Sequence, residues 1–587
     1  MDYEIEDIET IHKKFQGLIA QKNLFDHEVK QEEEGAYLSF IRDLLYNTST
    51  LDELKKKYGI MRKNSVIIQF SRKAQKRGLL SLDQVTDIEE KLRIKRHKSH
   101  SGVLVVTIFT SAYPEYINEE GKRVQQPFSC KWNCHYCPNQ PGQPRSYLEG
   151  EPGVLRANAN DFDCCNQMWD RMGALYNTGH PIDKLEVLVL GGTWESYPMS
   201  YRKEFIRDMY YAANTFWEEP SERRTKASLA VERDANRDAL CKIIGLTLET
   251  RPDTIDTEAI ITAREFGCTR FQIGIQHTND MILQKINRKC PTWKTVQAIQ
   301  LLKDWGFKVD GHWMPNLPGA TPELDRKMFV EELLAQSKEV AYIQPYIEGI
   351  YDWSVWTMTY PDLQLDQWKI YPCEVVPYTE IETWHKEGLY KPYGETEMEA
   401  LLMETKRNMV PWIRLNRIIR DIPTDYIISS GDHPSMRQVL QRKMKSKGWK
   451  CNCIRCREVK RTKIPDQIYY RIREYNSSYG TEFFVSAEDI TGDVLCGFLR
   501  LRHNDSDIGW IRELHVYGQL QVTGQKEVTN HVTQHKGIGK TLMEFARKIS
   551  LFHNKRKMKV ISGEGTKRYY EKLGYREGEY GYMELAL

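Results

Sequence analysis

No stretch of this 587-residue chain holds the roughly 18 consecutive apolar residues that a bilayer-spanning helix requires. Its first ten residues, MDYEIEDIET, are acidic and lack the basic-then-apolar order of a secretory leader. A soluble protein of a reducing, cytoplasmic compartment, with no membrane partner, is therefore expected. Internal repeats and long low-complexity tracts are also missing, which sets aside solenoids and fibrous chains. Neither sign of charge dominates. The 84 Lys and Arg against 81 Asp and Glu leave +3, a sum that selects no partner by itself. What remains is a globular balance, 40% hydrophobic and 28% charged, in a chain long enough for several cores.

The charge is unevenly spread. Residues 1–34 are acid-rich, whereas Lys55 to Leu79 carries nine Lys or Arg and no Asp or Glu, and RIKRHKSH follows at 93–100. Such blocks are either solvated helix faces or phosphate-binding surfaces, and Tyr58 and Phe70 within the first suit the second use. This N-terminal region, 1–97, reads as mainly helical, as in Ala36 to Leu45. From Gly102 the texture changes. Short β-branched apolar runs appear at GVLVVTIFT (102–110), LEVLVLGG (185–192), IIGLTLET (243–250), FQIGIQ (271–276) and KVDGHWMP (308–315). Helical stretches, one of them Thr292 to Trp305, separate them, so 98–370 is expected to form βα units around a parallel sheet. Residues 371–462 read as a compact connecting region. Residues 463–587 read as a second α/β unit, with short strands and a glycine-rich turn entering a helix.

Thirteen cysteines stand out against this background, and six fall in two tight clusters. Cys130-Lys131-Trp132-Asn133-Cys134-His135-Tyr136-Cys137 is C-x3-C-x2-C in a loop soon after the first strand. Three thiolates at this spacing can hold three irons of a [4Fe–4S] cluster and leave the fourth open. Zinc is the competing reading, but a structural zinc site wants four protein ligands, and His135 is poorly placed between two thiols. Gly191 and Gly192, followed by Thr193, end the next strand as a tight turn. The second cluster, Cys451, Cys453 and Cys456, offers three zinc ligands, with His433 as fourth and Cys373 as the weaker alternative. Near the C-terminus, Gln534-His535-Lys536-Gly537-Ile538-Gly539-Lys540 runs into an amphipathic helix, where backbone N–H groups could face a pyrophosphate. IRELHVYG (511–518) precedes it and Gly563-Glu564-Gly565-Thr566-Lys567-Arg568-Tyr569-Tyr570 follows. Adjacent tyrosines on a helix cannot both face inward, so at least one should reach a cleft.

The first cluster and the glycine turn resemble the radical S-adenosylmethionine (SAM) superfamily, and the C-terminal segments resemble a GNAT acetyltransferase. Together with GLTLETRPD (245–253), FQIGIQHTNDMILQKINR (271–288), GHWMPNLPGA (311–320) and DIPTDYIISSG (421–431), they resemble the family of the Elongator catalytic subunit and the tRNA uridine carboxymethyltransferases. That resemblance covers about 95–587. It implies a multidomain α/β protein: a radical SAM partial (βα) barrel, a GNAT domain, a basic helical N-terminal region contacting tRNA, and a small zinc-type connecting region. Cys130, Cys134 and Cys137 would carry the cluster. Gly191, Gly192, Thr193, Glu249 and Arg251 would lie near SAM, although Glu249 and Arg251 could instead be a structural ion pair. Acetyl-CoA would meet Gln534, Lys536, Gly537, Ile538, Gly539, Lys540, Gly563, Gly565, Tyr569 and Tyr570, the two tyrosines also serving catalysis. The implied reaction makes 5-carboxymethyluridine at the wobble position of tRNA, by a radical on the acetyl methyl adding to uridine carbon 5. Partner subunits of the Elongator type, or a homodimer, are open. Here KINR is followed by Lys289-Cys290, whereas the family usually has Gly-His. Two rival readings stay open: a protein lysine acetyltransferase with a structural Fe–S domain, and a non-catalytic RNA-binding scaffold.

Overall fold

The five apolar runs become strands at Leu104–Phe109, Lys184–Leu190, Lys242–Thr250, Arg270–Gln276 and Lys308–Trp313 in the computed structural model. It describes residues 29–93, 102–127, 130–339, 347–429, 436–459, 465–517 and 537–587. Two shorter strands, Gln367–Ile370 and Arg414–Arg417, complete a seven-stranded sheet whose neighbours follow chain order. Every pairing in it is parallel. Sequential parallel strands joined by right-handed crossovers put their helices on one face and curl the sheet into a partial barrel. The helices Cys164–Asn177, Met199–Asn214 and Thr292–Asp304 bury Met168, Met172, Ile206, Met209, Ile299 and Leu302 in one core with Val187, Ile243 and Val309. None of the described helices is long and apolar enough to cross a membrane.

A second, nine-stranded mixed sheet runs from Arg576–Glu577 at one edge, through Met583–Ala586, Lys557–Val560, Ile508–Val516, Leu495–His503, Gly480–Glu488 and Tyr469–Ser477, to Ile350–Met358 and Gln336–Glu339 at the other. The last two strands come from before the expected boundary at 370, and Ile350–Met358 pairs in parallel with Tyr469–Ser477. The region 371–462 in turn supplies Arg414–Arg417, the seventh barrel strand. The two sheets therefore exchange chain across the expected boundaries. Four helices, Glu34–Tyr46, Leu51–Tyr58, Asn64–Lys76 and Leu82–Leu92, form the N-terminal unit around Phe40, Leu54, Ile67, Ile68 and Ile88. Thr50 and Ser81 start two of these helices with capping boxes. Arg72 docks the unit on the barrel. It pairs with Glu89 at 2.6 Å, donates to the Tyr176 carbonyl at 3.2 Å and lies 3.8 Å from that ring.

The C-terminal sheet docks on the N-terminal ends of the barrel strands. Glu564, buried at the contact, pairs with Arg233, with Arg237 at 3.3 Å and with Lys567 at 2.9 Å. Arg568 meets Asp238 at 2.8 Å, and Tyr582 donates to the Trp305 carbonyl at 2.6 Å. Gly563 and Gly565, which the resemblance assigns to acetyl-CoA, sit at this contact. A Cβ on Gly563 would stand 2.3 Å from the Ile244 carbonyl oxygen, and one on Gly565 2.6 Å from the Lys242 Cβ. These glycines permit two backbones to approach each other, a need that their spacing alone does not distinguish from a cofactor contact.

Candidate functional site

The cysteine loop, the glycine turn and residues 249–251 all follow the C-terminal ends of barrel strands, so the fold collects them at one rim. Cys130 Sγ lies 3.7 Å from Thr193 Oγ1. Cys134, buried, receives Arg251 Nη1 at 3.4 Å and Arg288 Nη1 at 3.8 Å. Burial opposes its ionisation, but the two guanidiniums outweigh that and hold the thiol below its ordinary range. At Cys137 burial outweighs the single opposing guanidinium of Arg145 and pushes the thiol up. Three thiols with two buried cations suit an anionic metal–sulfur centre. Arg251 is itself held by Asp253 at 2.8 Å, by the Arg288 carbonyl at 2.7 Å and by the Trp132 ring at 4.1 Å.

Glu249 and Arg251 do not pair with each other. The Gly191 and Gly192 amides donate to Glu249 Oε2 at 3.4 and 3.3 Å, and the Tyr147 hydroxyl donates to it at 2.7 Å. Both glycines have positive φ, 141° and 98°, and a Cβ on Gly191 would collide with Thr110 Oγ1 at 1.8 Å. Below this rim the barrel interior is polar. His312 Nδ1 faces Glu249 Oε1 at 3.8 Å, while its Nε2 is buried without a partner. Lys369 donates to Gln272 Oε1 at 2.6 Å, and burial lowers its ammonium to about 8. Asp310 takes Gln367 at 2.5 Å and Arg270 at 2.8 Å, and Arg270 reaches on to Glu513 of the second sheet at 3.2 Å. Polar side chains thus run from the cysteine rim to the C-terminal sheet, where other barrels stack branched aliphatics.

At the far end, the Ile508–Val516 strand pairs with Lys557–Val560 only over 508–511, and a register shift falls opposite Arg500 and Leu501. Residues 512–516 thus line a split between two parallel strands. The helix Ile538–Phe552 starts beside it from Gly537 in the left-handed region, with no side chain capping its first amides. A Cβ on Gly539 would lie 3.0 Å from the Tyr569 hydroxyl and 3.7 Å from Val516. Lys540 and Tyr569 are exposed, whereas Tyr570 is buried and contacts Tyr575. Tyr570 is therefore a core aromatic, and Tyr569 is the one that reaches the cleft. Gln534 and Lys536 lie outside the described residues.

Cys451, Cys453 and Cys456 bring their Sγ atoms within 4.8 Å of one another, and Lys406 Nζ stands 3.9 Å from Cys456. His433 lies outside the described residues. Cys373 sits apart, in an apolar cluster with Ile282, Val375 and Tyr390. In the basic block, Lys57 pairs with Asp43, Arg62 with Glu33, Arg77 with Glu34 and Arg72 with Glu89, and Lys55 donates to Asn64 Oδ1 at 2.7 Å, so part of the block is engaged within the N-terminal unit. Sequence reasoning missed Arg288, His312, Lys369 and Arg270. Arg288 stands within the quoted KINR segment, but only the fold brings it to a thiol 154 positions away.

Residues 216–333 match the radical SAM superfamily and residues 365–446 the radical SAM C-terminal domain. A tRNA uridine(34) acetyltransferase of Methanocaldococcus jannaschii is 34% identical over 539 residues, 88% of this chain and 89% of that protein. Elongator complex protein 3 of Drosophila melanogaster is 31% identical over 574 residues, 92% and 95% of the two chains. Among solved structures, the archaeal Methanocaldococcus infernus Elp3 lacking its first 46 residues superposes with a TM-score of 0.65 at 31% identity. It covers 83% of this chain and 100% of its own.

Proposed function

The chain belongs to the radical SAM family that includes the tRNA uridine(34) acetyltransferases and Elongator complex protein 3, and from that premise we propose that it modifies the wobble uridine of tRNA, using acetyl-CoA to form 5-carboxymethyluridine. The observation that best supports this reading is the environment of Cys134. A buried thiol between two guanidiniums, beside a glycine turn that touches Cys130 through Thr193, is a costly arrangement for a merely structural cysteine.

Cys130, Cys134 and Cys137 hold the [4Fe–4S] cluster, and Arg251 and Arg288 balance its negative charge. Gly191, Gly192, Thr193 and Glu249 bind SAM at the same rim. When bound, the cluster and SAM supply homolytic chemistry able to activate a carbon–hydrogen bond. The second sheet is a GNAT domain. Its split at 512–516 accepts the acyl chain of acetyl-CoA, the free amides at Gly537 to Lys540 take the pyrophosphate, and Tyr569 closes over Gly539. Lys369 and His312 line the interior between the two ends and orient groups passing from one to the other. Tyr570 supports Tyr569 from the core.

Cys451, Cys453 and Cys456 bind a structural zinc ion with His433 as the fourth ligand. A trio of thiols within 4.8 Å fits a single ion, and Lys406 offsets its charge. The exposed remainder of the basic block, Lys56, Lys63 and Lys76 among it, contacts tRNA phosphates. The test is anaerobic incubation of the reconstituted protein with SAM, reductant, acetyl-CoA and tRNA, followed by nucleoside mass spectrometry. 5-Carboxymethyluridine is expected, and its loss in Cys134→Ala. Lysine acetylation of histones with no modified uridine would overturn the reading.

A further inference from the structure

The segment 280–294 joins the cysteine rim to an exposed apolar and basic surface. Arg288 lies on Cys134, and Asn287 Nδ2 donates to the Asn133 carbonyl of the cysteine loop at 2.7 Å. Asn287 and Lys289 both hold positive φ, 53° and 52°, so the chain turns sharply outward here on residues that are not glycine. At its far end the Thr292 hydroxyl donates to Asp280 at 2.8 Å. Met281 follows one member of that bond and Trp293 the other, and they stand 76% and 54% exposed. Single exposed apolar residues are ordinary on a protein surface, but these two sit next to the members of one hydrogen bond and share their segment with three lysines.

The surface around them is basic. Lys285 and Lys289 are exposed and Lys294 is half-buried, and among the described residues none of the three forms a salt bridge. The nearby Asp280 is already occupied by the Thr292 amide and hydroxyl. A protein partner recognised by Trp293 would need acidic complements at three points. A nucleic acid supplies them along every backbone, together with a flat base for the indole.

We propose that Trp293, with the Lys294 ammonium 5.6 Å from its ring and with exposed Met281, Lys285 and Lys289 on the same segment, is a stacking platform for an unpaired base of a single-stranded RNA loop, and that it steadies the loop while a neighbouring nucleotide enters the cysteine rim. This rests on reading the chain as a tRNA-modifying enzyme, and it names the part of the surface that grips the loop. The platform lies on a barrel loop, remote in sequence from the N-terminal basic block, so each can be tested separately.

The test is binding of the full-length, cluster-reconstituted protein to a fluorescent anticodon stem-loop, titrated across salt concentrations. Trp293→Ala should weaken binding about tenfold, within the range of about five- to a hundredfold set by loss of one stacked base, and Trp293→Phe should restore most of it. Lys285→Ala with Lys289→Ala should make the slope of log affinity against log salt shallower by about 1.4, two single-strand phosphate contacts. All these side chains are exposed, so matched thermal melting serves as the control for folding. Unchanged RNA affinity in Trp293→Ala, alongside wild-type uridine modification, would overturn the platform and leave the enzyme reading standing. Absence of RNA binding by the wild-type protein would overturn both.

Discussion

Gly563→Ala separates two roles for the segment Gly563 to Tyr570. The glycine has φ −75° and ψ 158°, which any residue adopts, so the cost of a methyl group there is steric. The added carbon would lie 2.3 Å from the Ile244 carbonyl oxygen and 2.4 Å from its carbon, about 1 Å inside ordinary contact near 3.5 Å. Both obstacles are backbone of the central strand Lys242–Thr250, which cannot rotate away. Relief requires the second sheet to back off, and that stretches Arg233 to Glu564, Arg237 to Glu564 (3.3 Å) and Arg568 to Asp238 (2.8 Å). Overpacking of this kind costs about 1–3 kcal/mol. For a cooperative unit of 150–250 residues that lowers the melting temperature by roughly 2–12 °C. Calorimetry of Gly563→Ala should show this loss, while isothermal titration of acetyl-CoA stays near wild type when measured well below the transition. Tyr569→Phe should do the reverse, weakening acetyl-CoA with no change in melting. Normal melting of Gly563→Ala with lost acetyl-CoA affinity would refute the docking argument and return the glycine to the cofactor site.

Two other predictions concern charge and metal. Burial raises the Glu513 carboxyl, but Arg270 and Arg500 outweigh it and hold it down at about 2, against an ordinary 4.5. A depressed carboxylate contributes stability above its unfolded value, and that contribution is lost as pH falls from about 4.5 through about 2. Denaturant melts against pH should show a steep acid loss in the wild type and a shallower one in Glu513→Gln. The variant should also be less stable at pH 7, by less than the roughly 3–5 kcal/mol of a fully broken buried pair, since Asp310 and Asp366 remain beside the arginines. An unchanged acid limb would show that Glu513 does not carry it. For the second cysteine cluster, Cys453→Ser should drop zinc from about one equivalent to well below half by elemental mass spectrometry and lower the melting temperature. Full retention of metal would exclude the trio as its site.

Local chemistry made much of this legible early. Apolar runs such as IIGLTLET read as strands, and their alternation with helices pointed to βα units around a parallel sheet in the middle of the chain. The spacing of Cys130, Cys134 and Cys137 named a chemistry, because ligands close in sequence stay close in space. Tyr569 and Tyr570 were a pair of which one had to face a cleft, and the burial of Tyr570 decided which.

Spacing could not reveal what depends on distant segments meeting. In the chain, Gly563 and Gly565 belong to a segment that the resemblance places at acetyl-CoA. They are docking glycines because the second sheet rests against residues 242–245, more than 300 positions away. Ile350–Met358 reads as part of the barrel region but pairs with Tyr469–Ser477, since an edge strand is completed by whichever backbone the core brings alongside. Arg251 and Arg288 stand in segments that carry the family resemblance, but only the fold shows that two loops place them on one thiol. Nor could the near-zero net charge show that arginine and carboxylate pairs concentrate inside, between Arg270, Asp310 and Glu513. The sequence alone thus determined where most strands and helices fall and which cysteines lie close together, through periodicity and spacing. Only the tertiary structure decided which strands complete which sheet, which glycines hold the sheets together and which cations face the cluster thiols, because those depend on long-range packing.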